Sequence, residues 1–416
     1  MNTATKTKVV IVGGGFAGIA IAKNLQKRAL DIDITIVSKT SIFEYYPALY
    51  RLVTGALPIE VSVPLTTIFP SGVNLVEATY KSVDQAEQTI TVAGAEGEYT
   101  IAYDYLVLAL GSETNYFNIA GLSEHSYSFK SVHAALRLKQ HFCDVVAKCV
   151  TAPRDEATIL LHTIVVGGGP SGVELAGDLK QYLVHLCTEL HVDPSLVTVD
   201  LVEASPRVIS TFPPAASAAA DARLRKMGIN IFTNRALQQQ EFAETILKDM
   251  DMKAATVVWT AGTRINSAYT TSITGATFDA RKRIEVTPTL NLPGDERVFI
   301  AGDGAGTQYS GLAQTAIHNG AYIARSIIEK IKGKTPDAYK PHQPTFVIPI
   351  GDNWALLSHK NVLITGFIPW IIRNAIDFVY FTSIVPLSYV FAVFIQGRKY
   401  RKVHGGCVVT YIPDEK

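Results

Sequence analysis

Two hexapeptides in this 416-residue chain have the residue types and spacing to hold phosphate: Gly13-Gly14-Gly15-Phe16-Ala17-Gly18 and Gly167-Gly168-Gly169-Pro170-Ser171-Gly172. Both fit G-x-G-x-x-G, and each follows a short apolar run and opens a helical pattern. The first glycine (Gly13, Gly167) permits a tight turn and the second (Gly15, Gly169) lets the backbone reach a pyrophosphate. The third (Gly18, Gly172) allows close helix–strand packing, with the helix N-terminus facing the anion. After the second hexapeptide, the next strand ends Asp200-Leu201-Val202-Glu203. A carboxylate at Glu203 accepts hydrogen bonds from ribose hydroxyls and repels a 2′-phosphate, which favours NADH over NADPH. An exposed strand-end charge is the plainer alternative. After the first hexapeptide, Ser38-Lys39 stand where such an acid is expected, and a serine hydroxyl bonds a ribose oxygen more weakly than a carboxylate does. Two such folds in one chain imply two dinucleotides. Nicotinamide passes hydride only, whereas a flavin gives electrons singly or in pairs. FAD in one fold and NADH in the other is therefore the economical reading.

Such loops need buried parallel strands behind them. Residues 8–12 and 34–37 flank a helix expected over about 17–29, and residues 163–166 and 197–202 flank one running through Leu175 and Leu179. This order predicts parallel sheets. Its recurrence roughly 154 residues later predicts two nucleotide-binding folds, not a short-period array. Three further apolar runs stop at glycine: 105–110 at Gly111, 256–261 at Gly262, and 298–301 at Gly302-Asp303-Gly304. Each marks a place where backbone comes close to something else.

Hydrophobic residues make up 48% and charged residues 18%, which excludes a disordered chain and suits two or three domains with large cores. A net charge of +1 gives no pull toward nucleic acid. The first eight residues carry no apolar run of a secretory signal. Cys143, Cys149, Cys187 and Cys407 show no CxxC spacing, so free thiols are expected, with no disulfide framework, zinc cluster or other metal site. Residues 378–397 form a stretch of twenty without a charge, long enough to span a bilayer but interrupted by Pro386. Arg373 and Asp377 are the only charges over 362–397, and a basic cluster of Arg398, Lys399, Arg401 and Lys402 follows. Trp370, Tyr380 and Tyr389 suit a membrane interface and the basic cluster suits anionic headgroups. A monotopic anchor is expected, with a spanning segment or a buried dimer contact as alternatives.

Together these residues resemble the two-dinucleotide-binding-domain flavoproteins, and most closely the type II NADH dehydrogenases (NADH:quinone oxidoreductases), over nearly the whole chain. Residues 13–18 resemble that family's FAD pyrophosphate loop, and Tyr46-Pro47-Ala48-Leu49-Tyr50 is similar to its Pro-Leu-Tyr turn beside the flavin ring. Leu108-Ala109-Leu110-Gly111-Ser112 and Trp259-Thr260-Ala261-Gly262-Thr263-Arg264 match its two strand-end glycine turns. Residues 297–303 match the turn whose aspartate, here Asp303, holds the flavin ribityl chain. A buried carboxylate needs donors, and ribityl hydroxyls supply them. Ala313-Gln314-Thr315-Ala316-Ile317-His318 resembles a helix start that carries two glutamines, four apart, near flavin and quinone. Gln314 fits the first and His318 replaces the second, on the same helix face. The alternative is a polar stripe bordering another domain. Glu174 matches a family glutamate near the nicotinamide and the reacting flavin edge, where it orders the ring or relays a proton. The plainer alternative is a helix-start acid favoured by the macrodipole. No cysteine precedes Cys143 and none lies in residues 170–174, which argues against disulfide-reductase and sulfide:quinone chemistry.

The resemblance implies an α/β fold with two Rossmann-like dinucleotide-binding domains of the glutathione-reductase kind, the second inserted in the first. The FAD domain would cover 1–114 and 285–340, the NAD(H) domain 115–284, and a membrane-anchoring region 341–416. It further implies hydride transfer from NADH to FAD, then electrons to a membrane quinone without proton pumping. The enzyme would lie peripherally on the cytoplasmic face of the cell membrane, with a homodimer a family expectation. Alternatives are a flavin reductase with another acceptor (sulfide–quinone, ferredoxin or oxygen) and a low-turnover, flavin-bearing membrane redox sensor.

Overall fold

The computed structural model describes residues 6–28, 31–242, 244–403 and Cys407, without the side chains at 394 and 397–403. The basic cluster of Arg398, Lys399, Arg401 and Lys402 therefore lies outside the described side chains, as do residues 1–5 of the N-terminus. The chain forms two compact units. Unit one comprises 1–44, 63–113 and 263–344; unit two comprises 45–62, 114–262 and 345–416. Seven of the helices, numbered in chain order, are α1 (Phe16–Gln26), α2 (Leu49–Val53), α3 (Val132–Cys149), α4 (Pro170–Glu189), α5 (Ala313–Ile331), α6 (Phe367–Ile384) and α7 (Leu387–Val403).

In unit one a six-stranded sheet runs in the order Asn291–Leu292, Asp295–Ile300, Tyr105–Leu108, Thr7–Val12, Ile32–Ser38, Asn74–Glu77. All neighbours are parallel except the first pair. Val9, Val10, Ile11 and Val12 are buried without alternation, because a parallel strand is covered on both faces. On one face Val10, Val12, Leu106, Leu108, Val298 and Ile300 share a core with Tyr80, Ile90 and Val92 of an antiparallel sheet. On the other, Ile11 meets α1, and α1 crosses α5 very closely. A Cβ at Gly320 would lie 2.7 Å from the Ala17 carbonyl oxygen and 2.8 Å from the Ala20 methyl.

In unit two a four-stranded parallel sheet runs Asn230–Phe232, Thr198–Val202, His162–Val166, Thr256–Trp259. The Ser131 hydroxyl caps α3 by accepting from the Ala134 amide at 3.0 Å. Pro170 opens α4 at a position whose amide has no helical partner to lose. An antiparallel sheet, Phe346–Pro349, Ala355–His359 and Val362–Gly366, leads into α6.

The twenty-residue run read as long enough to span a bilayer is not one helix. α6 stops at Ile384, Val385 is extended, and α7 begins at Leu387. Clash with the Pro386 ring disfavours helical backbone at the preceding residue, which sets this break. No described helix is long and apolar enough to cross a membrane. α6 is also turned inside out. It buries Arg373 and Asp377 while exposing Phe367, Ile368, Ile371, Ile376, Phe378 and Val379. Along α7, Leu387, Phe391 and Ile395 are exposed at every fourth position.

The expectation of four free thiols is overturned. Cys143 of α3 and Cys407 form a disulfide with Cα atoms 5.6 Å apart, while Cys149 and Cys187 are free and buried. The partners are 264 residues apart in sequence, so no local spacing could reveal them. Under denaturing, non-reducing conditions, only two of the four cysteines should alkylate, and a peptide map should contain the Cys143–Cys407 crosslink. Cys407→Ser should lower the stability of the oxidised protein by about 2–4 kcal/mol and leave the reduced protein unchanged. Alkylation of all four cysteines without reductant would contradict the pairing.

Candidate functional site

Both glycine elbows have the backbone that their sequence requires. In unit one Gly13 has φ +119° and donates its amide to the Val37 carbonyl at 2.7 Å. A Cβ at Gly18 would stand 2.0 Å from the Gly13 oxygen, so any side chain there forces strand and helix apart. Gly15 opens onto free space. In unit two Gly167 has φ +115° and donates to Val202 at 2.8 Å, a Cβ at Gly172 would stand 1.9 Å from the Gly167 oxygen, and Gly169 is open. Each elbow is thus closed toward its own strand and open where an anion would approach its helix.

Around the first elbow the structure gathers most of the residues read from sequence for that unit. Ser38 lies beside the loop, its hydroxyl 2.9 Å from where a Gly14 Cβ would be; Lys39 is exposed. Gly111 has φ +69° and nothing near its missing side chain. The next residue, Ser112, donates its hydroxyl to Asp303, which sits in a short turn led by Gly302 at φ +67°. A Cβ on Gly302 would be 3.8 Å from the Ala17 methyl and 3.6 Å from that of Ala316. The first turn of α1, the Asp303 turn and the start of α5 at Ala313 therefore converge. Gln314 is exposed on that first turn of α5. His318 is already engaged: its Nδ1 is 3.0 Å from the Tyr339 hydroxyl, and its ring centroid lies 5.9 Å from that of His342. Burial first, then His342 and Arg325, hold its pKa below the usual imidazole value.

Beside the second elbow the Glu203 carboxylate is fixed by two backbone amides, Gly168 at 2.6 Å and Ser205 at 2.7 Å. It is not a loose strand-end charge. Gly262 is packed, since a Cβ there would lie 2.6 Å from the Asn115 oxygen and 2.5 Å from the Phe117 ring.

Unit two also holds a cluster that sequence reading largely missed. Asp377 of α6 accepts from the Tyr45 hydroxyl at 2.6 Å and from Arg51 Nη1 of α2 at 2.8 Å, and it pairs with Arg373 one turn back. Arg373 Nη2 donates to the Pro47 carbonyl at 2.8 Å, and Arg51 Nε donates to the Tyr50 hydroxyl at 3.0 Å. The turn containing Pro47 is thereby held by α6. Glu174 and Asp178 of α4 face these guanidiniums. Burial pushes the Glu174 pKa up to about 8, against the pull of Arg373 and Arg51 and with help from Asp178 and Asp377. Burial likewise pushes Asp178 up to about 7, opposed by Arg51 and assisted by Asp352. The one available signal was Arg373 and Asp377 standing four apart in an otherwise uncharged stretch. Nothing local in sequence marks Arg51 as their partner.

Residues 7–320 match the family model described as pyridine nucleotide-disulphide oxidoreductase. The chain belongs to the pyridine nucleotide-disulphide oxidoreductase family. Over 391 residues it is 29% identical to the type II NADH:quinone oxidoreductase Ndh of Mycobacterium tuberculosis, covering 90% of this chain and 84% of that one. It is 26% identical to the type II NADH:quinone oxidoreductase of Staphylococcus haemolyticus, covering 79% and 84%. Among solved structures, NDH2 from Plasmodium falciparum in complex with NADH superposes with a TM-score of 0.86 at 17% identity, covering 97% of this chain and 99% of that one. The sulfide:quinone oxidoreductase from Aquifex aeolicus superposes with a TM-score of 0.76 at 18% identity, covering 96% of each. Those two superpositions establish a shared α/β fold. In this chain no cysteine precedes Cys143, which the structure ties to Cys407.

Two outcomes are expected of this pyridine nucleotide-disulphide oxidoreductase. Gly172→Ala should destabilise unit two by about 1–3 kcal/mol through overpacking, while Gly169→Ala, pointing into open space, should change stability by less than about 0.5 kcal/mol; urea unfolding separates them. Asp377→Asn should cost about 3–5 kcal/mol, because it leaves two guanidiniums without their buried counter-charge. A thermal midpoint equal to wild type would show that the cluster does not hold α6.

Proposed function

We propose that this chain is an FAD-dependent NADH:quinone oxidoreductase that takes hydride from NADH and passes the electrons to a membrane quinone without pumping protons. What carries the reading is similarity over 90% of the chain to a relative named a type II NADH:quinone oxidoreductase, with both glycine elbows inside the matched family region. The two elbows, each closed toward its strand and open at its middle glycine, fit two dinucleotides. FAD, when bound, supplies a centre that accepts two electrons as hydride and releases them to quinone.

The chain's own residues bind and orient. Gly13, Gly15 and Gly18 hold the FAD pyrophosphate in unit one, and Ser38 with Lys39 takes the adenosine ribose. Gly111, Asp303 and Ala313 serve the flavin end, with Asp303 held through Ser112. In unit two Gly167, Gly169 and Gly172 hold the NADH pyrophosphate, Glu203 takes its ribose hydroxyls, and Gly262 borders the nicotinamide half. Glu203 favours NADH because its carboxylate is fixed where a 2′-phosphate would be repelled. Pro47, gripped by Arg373, supports the flavin ring. Glu174 orders the nicotinamide and holds a proton at neutral pH. Gln314 and His318 border the quinone. Positioning and electrostatics carry the rate, with no covalent nucleophile.

The exposed apolar faces of α6 and α7 support a peripheral, monotopic seat in one leaflet, on the cytoplasmic face of the cell membrane. A homodimer covering the same faces is the competing arrangement.

Anaerobic NADH should bleach the bound flavin, and a soluble quinone analogue should restore its colour over many turnovers. Failure of the first step would defeat the NADH half-reaction; bleaching without reoxidation by quinone would defeat the second. Glu174 binds its proton below about pH 8 and loses it above. Turnover that needs this proton should therefore fall as pH rises through about 8, and Glu174→Gln should remove that alkaline limb.

A further inference from the structure

Hydride transfer to a quinone does not balance by itself. NADH gives up two electrons and one proton as hydride, and the quinone needs a second proton from solvent to become the quinol. Given the function proposed above, on which this reading rests, that proton must come from water at the protein surface.

Helix α4 offers a path. Glu174, Asp178 and Gln181 are spaced at i, i+4 and i+7, which places their side chains on one face of the helix. The face begins in the turn after the second glycine elbow and ends at the turn formed by Gly351, which is buried, and Asp352, which is exposed. Contact there is direct. The Gln181 side-chain oxygen accepts the Asp352 amide at 2.9 Å, Asp178 accepts a hydrogen bond from the Gly351 backbone, and a Cβ at Gly177 would lie 2.9 Å from the Gly351 nitrogen. Glycine at 351 is required there: its φ is +66°, and a side chain would meet Gln181 and Met227. The helix and the turn are therefore packed closely, with the exposed Asp352 carboxylate at the mouth.

We propose that Asp178 is a proton-relay station: it takes a proton from water at the Gly351 and Asp352 turn and hands it along the face of α4 to Glu174, which delivers it for quinol formation.

The surroundings suit that task. Charged and titratable groups facing the pair are Arg51 and Tyr50 of α2, Arg373 and Asp377 of α6, and Asp352 of the surface turn, while Arg223 holds that turn by donating to the Ile350 and Asp352 carbonyls. Arg51 and Arg373 oppose the effect of burial, so neither carboxyl is locked in its protonated form. Asp178 near 7 and Glu174 near 8 can each gain and lose a proton around neutrality, which a relay needs. An ordinary surface aspartate, ionised well below neutral pH, could not hold the proton long enough to pass it on. In this role Asp178 is a positioning and relay residue acting through Glu174.

Asp178→Asn, Asp178→Glu and wild type are compared as full-length, flavin-loaded protein. Asp178→Asn keeps the shape and the Gly351 hydrogen bond but cannot carry a proton. The rate of flavin bleaching by NADH should stay within about twofold of wild type, because the hydride brings its own proton. Steady-state turnover with a soluble quinone should fall about a hundredfold, its alkaline limb should shift to lower pH, and its solvent deuterium isotope effect should rise. Asp178→Glu should restore turnover and pH profile to within about threefold. Wild-type turnover, pH profile and isotope effect in Asp178→Asn would overturn the relay. So would an equal loss of bleaching and turnover that Asp178→Glu fails to rescue, since that is structural damage. Failure of wild type itself to reduce quinone is a separate result: it ends the proposed function, and the relay with it.

Discussion

One carboxylate organises much of unit two. Asp377 lies almost out of water and has to be satisfied there, because an unpaired buried charge costs several kcal/mol. Its donors come from three places: Tyr45, Arg51 and its own helix neighbour Arg373. Satisfying it fixes the rotation of α6. Once Arg373 and Asp377 point inward, the apolar residues at 367, 368, 371, 376, 378 and 379 have only the outside left to them. The apolar outer surface and the grip on the Pro47 turn thus have one cause. A helix with a wholly apolar inward face would bury its phenylalanines and isoleucines instead.

The glycines impose a different constraint. At Gly18, Gly172 and Gly320 a single added carbon would stand within 2.7 Å of a backbone carbonyl oxygen, so these positions set how near helix and strand, or helix and helix, can lie. Gly15 and Gly169 have no such neighbour. Within one motif, then, the outer glycines serve the protein's own packing, and the middle one leaves room for something that is not protein.

Environment, and not residue type, separates the carboxylates of unit two. Glu203 is held beside its loop by two backbone amides; Asp377 is held by two guanidiniums and a phenol; Glu174 and Asp178 lie half-buried near the same guanidiniums with less direct pairing and retain protons near neutral pH.

Sequence alone determined the features whose cause is local. The two elbows, the strands behind them, Glu203 at its strand end and the glycine stops at Gly111 and Gly302 were legible, because a positive φ, a tight turn or a fully buried strand is imposed by a few consecutive residues. Even the break at Pro386 was partly legible, since proline restricts its immediate neighbour. Features made by chain return were not. Cys143 and Cys407 are 264 residues apart, and Arg51 and Asp377 are brought together by folding alone. The contact of His318 with the Tyr339 hydroxyl is likewise made only by chain return. Which face of α6 turns inward could not be read from its composition, because a helix with two charges and many apolar residues buries the charges only if donors wait for them. Tyr45, Arg51 and the Pro47 carbonyl are those partners, and only the tertiary structure puts them there.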